Sequence, residues 1–196
     1  SSGKSFIKFS WSKIFKASFI KSGEINFDSR LKYGEDSVFN FESLIRAERL
    51  VFSKDSIYSY RTRNDSASQK IDKTFDMNFF RQIELNCVIR DEIYKKYSIR
   101  DDECYYESKG GFVLEKLLVF DLVKKIYKTE SKNKYRVFRK IASSGLIQDS
   151  FKSYDINKAK RKGLDWVMLW AVKHRLYFLG HLTCKYAFKN KRRRLK

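Results

Sequence analysis

Helical periodicity governs the chain from about residue 75 onward, and this feature constrains the fold more than any other. Apolar residues recur there at a spacing near 3.6, over residues 75–97, 104–128, 132–143 and 155–189. The 196-residue chain has no proline, and glycine is scarce in this half, so few residues would interrupt a helix. The second half is therefore predicted to be entirely helical.

The first 74 residues show a mixed pattern. Helical spacing predicts a short helix over residues 10–22 and a second helix over residues 37–48. The buried stripe of the second helix is predicted to be Val38, Phe41, Leu44 and Ile45. A brief extended piece is predicted at 25–27, and short strands are predicted at 49–53 and 56–63. The fold class predicted for this part is α/β, and a mostly α-helical extension follows after a boundary near residues 70–78.

Charge narrows the classes of binding partner. The formal net charge is +20, which favours a polyanionic neighbour such as nucleic acid, an anionic membrane surface or a phosphate-bearing substrate. Residues 152–196 hold fourteen Lys or Arg against Asp155 and Asp165, a net charge of +12. The positive charge is therefore concentrated at the carboxyl-terminal end.

Three cysteines are present without a CxxC pair, which argues against a disulfide framework and against a zinc site. A reducing cytosol fits this cysteine usage. The longest apolar run, at residues 166–172, is ended by Lys173, so a membrane-spanning helix is not predicted.

The stretch "YGEDSVFNFESL" at residues 33–44 places Glu35 and Asp36 directly after a glycine and before a helical pattern. Acidic residues are common at helix N-termini, because they accept backbone N–H groups and meet the positive end of the helix dipole. A carboxylate held in that way can also act as a general base. Local sequence leaves both interpretations open.

The stretch "YSYRTRNDSAS" at residues 58–68 combines Arg61 with Ser66 in a small-residue turn. A guanidinium group, hydroxyls and turn amides together suit phosphate oxygens. The alternative is a solvated strand end with a surface ion pair.

Four motifs occur in order: "WSKIF" at 11–15, "INF" at 25–27, "YGEDSVFNFESL" at 33–44 and "IYSYRTRNDSAS" at 57–68. This set resembles the second half of the catalytic domain of family 2 glycosyltransferases of the bacterial polysaccharide-building kind, which have the GT-A fold. The resemblance covers roughly residues 9–70. Under it, residues 1–74 are the acceptor-side half of such a domain, residues 75–150 a helical extension, and residues 151–196 a basic amphipathic helix and tail.

The resemblance implies that Asp36 is the general base, with Glu35 as its acceptor-binding or orienting neighbour. It implies that Arg61 and Ser66 lie near the nucleoside diphosphate. The implied reaction is an inverting transfer of a sugar from a nucleotide-sugar donor to a saccharide or lipid-linked acceptor in cell-surface polysaccharide synthesis. Trp11 and Lys13 match a motif that sits by the active site, although a tryptophan at a helix start is often a core residue.

Part of the family pattern is missing. An Asp-x-Asp motif holds a divalent cation, Mg²⁺ or Mn²⁺, in this family, and it should precede Trp11. No such motif is found, so no metal ligand is assigned in this chain. The chain also opens without methionine, and we expect it to be a fragment that is inactive alone.

The segment 163–196 combines aromatic residues with a terminal basic cluster, which is typical of a helix that lies on an anionic membrane. The predicted membrane contacts are Trp166, Trp170, Lys191, Arg192, Arg193 and Arg194. We expect a cytoplasmic protein, peripheral on the inner face of the cell membrane. The alternative is that the apolar stripe packs on the preceding helices.

Two other functions compete with a transferase. Basic, aromatic-rich chains often bind nucleic acid, which would make this a noncatalytic basic module. The chain could also be a remnant of a glycosyltransferase that serves as a scaffold for another subunit.

Overall fold

The structure is a computed structural model that describes residues 10, 13–53, 58–59, 75–97, 102–159 and 163–193. The described residues form two compact units. The first unit contains the described residues up to 59 together with 77–97, and the second contains 75–76 and everything from 102 onward.

Three helices build the first unit: α1 (Ala17–Ser22), α2 (Glu35–Arg46) and α3 (Met77–Lys96). Helix α2 packs on α3 through a cluster of apolar side chains. Its buried members are Leu31, Val38, Ile89 and Ile93, and Phe41, Ile45, Leu85 and Tyr97 pack against them. Of the predicted α2 stripe, Val38 is confirmed as buried, and Phe41 and Ile45 pack partly buried against the cluster. Leu44 is also only partly buried and lies outside the cluster.

Helices also build the second unit. They are α4 (Asp102–Gly111), a π-helix (Phe112–Leu122), α5 (Val123–Lys128), α6 (Lys134–Ala142), α7 (Gly145–Ser153), a 3-10 turn (Ile156–Lys158), α8 (Leu164–Lys173) and α9 (Tyr177–Arg193). The core is apolar and includes fully buried Phe138, Leu114, Leu118, Ile126 and Leu169. The prediction that this half is helical is confirmed for the residues that the structure describes.

The predicted α/β fold class is wrong, because the described residues form helices and no strand. Residues 25–27 and 49–53 lie outside any helix or strand, and most of 56–63 lies outside the described residues. Leu50, Val51 and Phe52 are 52%, 82% and 74% exposed. A strand is stabilised by its neighbours in a sheet, and the described residues offer 49–53 no such neighbour. Strand-like composition alone therefore does not produce a sheet here.

Two predicted helices are also too long. The helix predicted over 10–22 is observed only at 17–22, and residues 13–16 are not helical. The helix predicted over 155–189 is broken near Gly163, which has φ of +70°, and at Arg175, which has φ of +60°. Arg175 donates its backbone N–H to Val172 and Leu176 donates to Ala171, which is the bonding pattern of a Schellman helix end. Glycine usually occupies the left-handed position of that motif, so an arginine there gave no sequence signal.

Candidate functional site

Gly34 determines where helix α2 begins. Its φ is +83°, a left-handed conformation that glycine adopts without strain. The Gly34 carbonyl oxygen accepts the backbone N–H groups of Ser37 at 3.0 Å and Val38 at 3.3 Å. These bonds put Glu35 and Asp36 in the first turn of α2, at the positive end of the helix dipole. A Cβ atom at position 34 would lie 2.8 Å from Asn86 Nδ2, so a larger residue would also disturb the contact with α3.

Helix α3 carries a row of polar side chains that face the start of α2. We call this row the polar ladder; its members are Gln82, Asn86 and Arg90, spaced four residues apart on one helical face. Gln82 Oε1 accepts the backbone N–H of Lys32 at 2.6 Å. Gln82 Nε2 donates to the carbonyl oxygen of Arg30 at 3.4 Å. Gln82 therefore holds the loop that leads into α2.

The other two residues of the polar ladder, Asn86 and Arg90, bind the first turn of α2 itself. Asn86 Nδ2 donates to the Gly34 carbonyl oxygen at 2.9 Å and lies 3.4 Å from Ser37 Oγ. Arg90 Nη2 donates to the Ser37 carbonyl oxygen at 3.2 Å. Each bond holds backbone or side-chain atoms within two residues of Asp36. The acidic turn is thus positioned by α3 as well as by its own helix.

Asp36 is half-buried and lies beside residues from the segment before α1. Ser10 Oγ donates a hydrogen bond to Asp36 Oδ1 at 2.5 Å. Burial lowers the pKa of Lys13, and the nearby negative charge of Asp36 partly opposes that shift. Among the described residues, Asp36 Oδ2 accepts no hydrogen bond. Ser10 therefore holds one carboxylate oxygen of Asp36 in place.

The structure brings some of the predicted site residues together. Glu35 is half-buried beside Asp36 in the first turn of α2, and Lys13 is close enough to Asp36 for their charges to interact. Trp11, Arg61 and Ser66 lie outside the described residues. Their predicted positions near the substrate stay predictions.

The predicted membrane contacts lie in the second unit. Trp166 and Trp170 are both half-buried on α8, and the ring of Trp170 lies 4.8 Å from that of His174. Residues Lys191, Arg192 and Arg193 belong to the last turn of α9, but their side chains are outside the described part of the chain, as is all of Arg194. No helix within the described ranges is sufficiently long and apolar to cross a membrane.

The described residues do not fit the divalent cation that the family resemblance implies. Across the ranges that the structure covers, no three His, Cys, Asp or Glu side chains come together as metal ligands. Lys13 lies near Asp36, and its positive charge disfavours a cation at that carboxylate.

The polar ladder was missed at the level of sequence. The helix over residues 75–97 was predicted only from the spacing of its apolar residues. The spacing of Gln82, Asn86 and Arg90 was a usable signal, because three hydrogen-bonding side chains on one helical face need partners if that face is covered.

An open cleft of about 320 Å³ lies on the second unit, lined by acidic and basic side chains that include Glu107 and Lys158. These two pair at 2.8 Å. At the cleft, Tyr154 donates its hydroxyl to Glu115 of the π-helix. None of the predicted catalytic residues lines the cleft.

Comparison with known proteins supports a distant relationship to glycosyltransferases. The chain is 31% identical over 72 residues to a poly(ribitol-phosphate) beta-glucosyltransferase of Bacillus spizizenii. The matched segment makes up 37% of this chain and 11% of that protein. No family model matches the chain, and no solved structure matches it significantly. The similarity suggests a glycosyltransferase-like function at the level of the general class.

Proposed function

We propose that this chain is the acceptor-side part of an inverting glycosyltransferase of the family 2 type, with Asp36 as the general base. The observation that supports the proposal best is the setting of Asp36. Its carboxylate lies at a helix N-terminus, Ser10 holds Oδ1 at 2.5 Å, and among the described residues Oδ2 is left to accept a proton. A base needs this combination of fixed position and open acceptor.

In the proposed step, the acceptor hydroxyl oxygen attacks the anomeric carbon of the donor while its proton passes to Asp36. The bond between the anomeric carbon and the nucleoside diphosphate breaks, and the electron pair leaves with the diphosphate. Configuration is inverted because attack and departure occur on opposite faces of the sugar. Glu35 would orient the acceptor, and Lys13 would offset negative charge near the base.

The diphosphate side of the site is proposed from sequence. Arg61 and Ser66 would donate hydrogen bonds to the departing phosphate oxygens, since guanidinium and hydroxyl groups suit that charge. Trp11 would line the substrate site. These roles rest on the order of the motifs.

The similar protein suggests probes for the assay. Its name specifies a glucosyl donor and a poly(ribitol phosphate) acceptor. We propose an acceptor of the same broad chemistry for this chain, a cell-surface saccharide or polyol-phosphate polymer, free or lipid-linked, which is glycosylated at the inner face of the membrane. The basic character of the chain suits such a polyanionic acceptor.

The test is Asp36→Asn in the intact protein that carries this chain. Transfer is followed by release of nucleoside diphosphate from a panel of nucleotide sugars, with poly(ribitol phosphate) or lipid-linked saccharide as acceptor. Loss of a general base should lower the transfer rate by about 10² to 10⁴-fold, while donor binding stays near wild type. The matched control is Asp28→Asn, which changes another aspartate of the segment before α2; its half-buried carboxylate pairs with Arg30 at 2.7 Å. Normal transfer by Asp36→Asn would contradict the assignment of the base.

The same panel separates the rival functions. A noncatalytic scaffold or nucleic-acid module would release no nucleoside diphosphate with any donor and acceptor, whatever residue stands at position 36. That outcome would overturn the transferase proposal itself.

A further inference from the structure

Helix α9 presents an apolar face to solvent. Phe178 is 60% exposed, Leu182 43% and Tyr186 59%, and these three are spaced four residues apart. Leu179 is exposed on the same side, and Leu176 is exposed just before the helix begins. At about 100° per residue, the exposed positions of α9 from 178 to 189 fall within an arc of about 120°. Such a contiguous apolar face on a helix indicates a binding surface.

The opposite face of α9 is tied into the core of the second unit. Gly180 and Cys184 are buried. A Cβ atom at Gly180 would lie 3.3 Å from the ring of Phe138, which is itself fully buried. Tyr127 donates its hydroxyl to the His181 carbonyl oxygen at 3.1 Å. The inner face therefore fixes the rotation of the helix, so the apolar face is held outward.

Positive charge lies within the apolar face. Lys185 and Lys189 are exposed in the same arc as Phe178 and Leu182, and Lys173 and Arg175 are exposed just before α9. Within the described part of the chain, none of these four cations pairs with a carboxylate. Residues 166–196 contain nine Lys or Arg and no Asp or Glu. The surface is therefore largely apolar, and the charged side chains within it are all cationic.

We infer that this outer face of α9, formed by Phe178, Leu179, Leu182, Lys185, Tyr186 and Lys189, docks the protein on an anionic lipid membrane. The helix would lie in the plane of the interface, with its apolar side chains among the acyl chains and its lysines at the lipid phosphates. Leucines favour lipid over nucleic acid, because an aliphatic side chain neither stacks on a base nor binds a phosphate. The assignment differs from the sequence prediction, since Trp166 and Trp170 are half-buried on α8.

This surface belongs to the second unit, and its assignment is independent of the role of Asp36. The test is flotation of the full chain with vesicles of phosphatidylcholine, with and without phosphatidylglycerol. Wild type should float with the anionic vesicles and much less with the neutral ones. Lys185→Gln combined with Lys189→Gln should reduce the fraction bound by about tenfold, because each lysine at an anionic surface adds up to about a fivefold gain.

The apolar contribution is tested by Phe178→Ser combined with Leu182→Ser, which should lower binding by at least about tenfold. The matched control for charge is Lys128→Gln with Lys140→Gln, two exposed lysines elsewhere in the second unit, which should leave binding near wild type. Circular dichroism verifies that each variant keeps its helices. If the variant with serine at positions 178 and 182 loses helix, the comparison of the Lys185 and Lys189 variant with its lysine control decides the test.

The inference is overturned if wild type does not float with anionic vesicles. It is also overturned if the Lys185 and Lys189 variant floats as well as the Lys128 and Lys140 control. A parallel filter-binding assay with single-stranded RNA tests the other polyanion. Retention of RNA without vesicle binding would assign the face to nucleic acid instead.

Discussion

The second unit buries whole aromatic and aliphatic side chains, whereas the best-defined contact of the first unit combines a small apolar cluster with polar bonds. Phe138, Leu118 and Leu169 are fully inaccessible in the second unit. In the first unit, four buried residues form the cluster between α2 and α3, and the ends of the contact are fixed by the polar ladder.

The difference shows what each unit is suited to do. Apolar burial is strong but non-directional, so it stabilises the second unit without specifying one hydrogen-bonding geometry. Hydrogen bonds contribute less but fix distances and angles. The first unit uses such bonds where Asp36 lies, and the second unit uses apolar packing to hold α9 with one face outward. The comparison predicts that mutations of similar size will act differently in the two units.

The largest effect is expected for Phe138→Ala in the second unit. Phe138 has no exposed surface, and its ring packs closely against α9 at Gly180. Removing a buried phenylalanine ring costs about 3–5 kcal/mol in free energy of unfolding, through lost transfer energy and the cavity left behind. Urea unfolding followed by circular dichroism measures the change.

The matched control is Phe178→Ala, the same substitution at a 60% exposed position of the same unit. Its free energy of unfolding should change by less than about 1.5 kcal/mol, which is the size of the edge-to-face contact that its ring makes with Tyr135. Equal effects of the two substitutions would mean that apolar burial does not distinguish the interior of this unit from its surface.

A smaller and more local effect is expected for Asn86→Leu in the first unit. The side chain keeps its approximate size but loses the donors to the Gly34 carbonyl oxygen and Ser37 Oγ. Asn86 is only 9% exposed, so water would not fully replace these bonds, and the cost should be about 1–2 kcal/mol. Amide hydrogen exchange should accelerate in peptides that cover residues 30–40, where the ladder binds.

Asn133→Leu is the matched control, because Asn133 is exposed and its side chain caps no helix. It should leave exchange in residues 30–40 unchanged. If Asn86→Leu also leaves that exchange unchanged, the polar ladder does not position the acidic turn, and the contrast between the two units fails.

The sequence predicted local structure better than long-range structure. The start of α2 follows from Gly34 and the two acids after it, and Val38, Phe41 and Ile45 follow from helical spacing, so both were recognised. The prediction of a strand at 49–53 was wrong, because a strand depends on neighbouring strands that its own residues do not reveal. The break at Arg175 was missed because a left-handed arginine is stabilised by bonds to α8 rather than by its own preference.

Within the site, Asp36 was identified from sequence because a resemblance and a helix start both pointed to it, although its role as a base stays a prediction. Its partners were harder to find. Asn86 lies 52 positions from Gly34 in the chain, so their hydrogen bond leaves no local pattern. Only the four-residue spacing of the polar ladder could have indicated that the covered face of α3 is partly polar.

The smallest effect is expected from a change in pH. It tests whether the stability of the second unit also depends on the contact between Tyr127 and His181. Burial lowers the pKa of His181 below its ordinary value, and Lys185 lowers it further. The native ring therefore stays neutral at a pH where the unfolded ring, with a pKa of about 6.5, begins to bind a proton. His181 therefore contributes its full stability above the pKa of the unfolded ring. As the pH falls, the unfolded chain binds a proton at this residue more readily than the native chain does, so the free energy of unfolding decreases.

The free energy of unfolding should thus decline between about pH 7.5 and about pH 5.5, and His181→Gln should reduce that decline. The difference should stay below about 1 kcal/mol, because the ring is only half-buried and solvent screens its charge. His174→Gln, which changes the chain's other histidine, is the matched control and should keep the wild-type decline, since His181 is still present. An unaltered pH dependence in His181→Gln would show that the contact of Tyr127 with His181 has no role in the pH-dependent stability of the second unit.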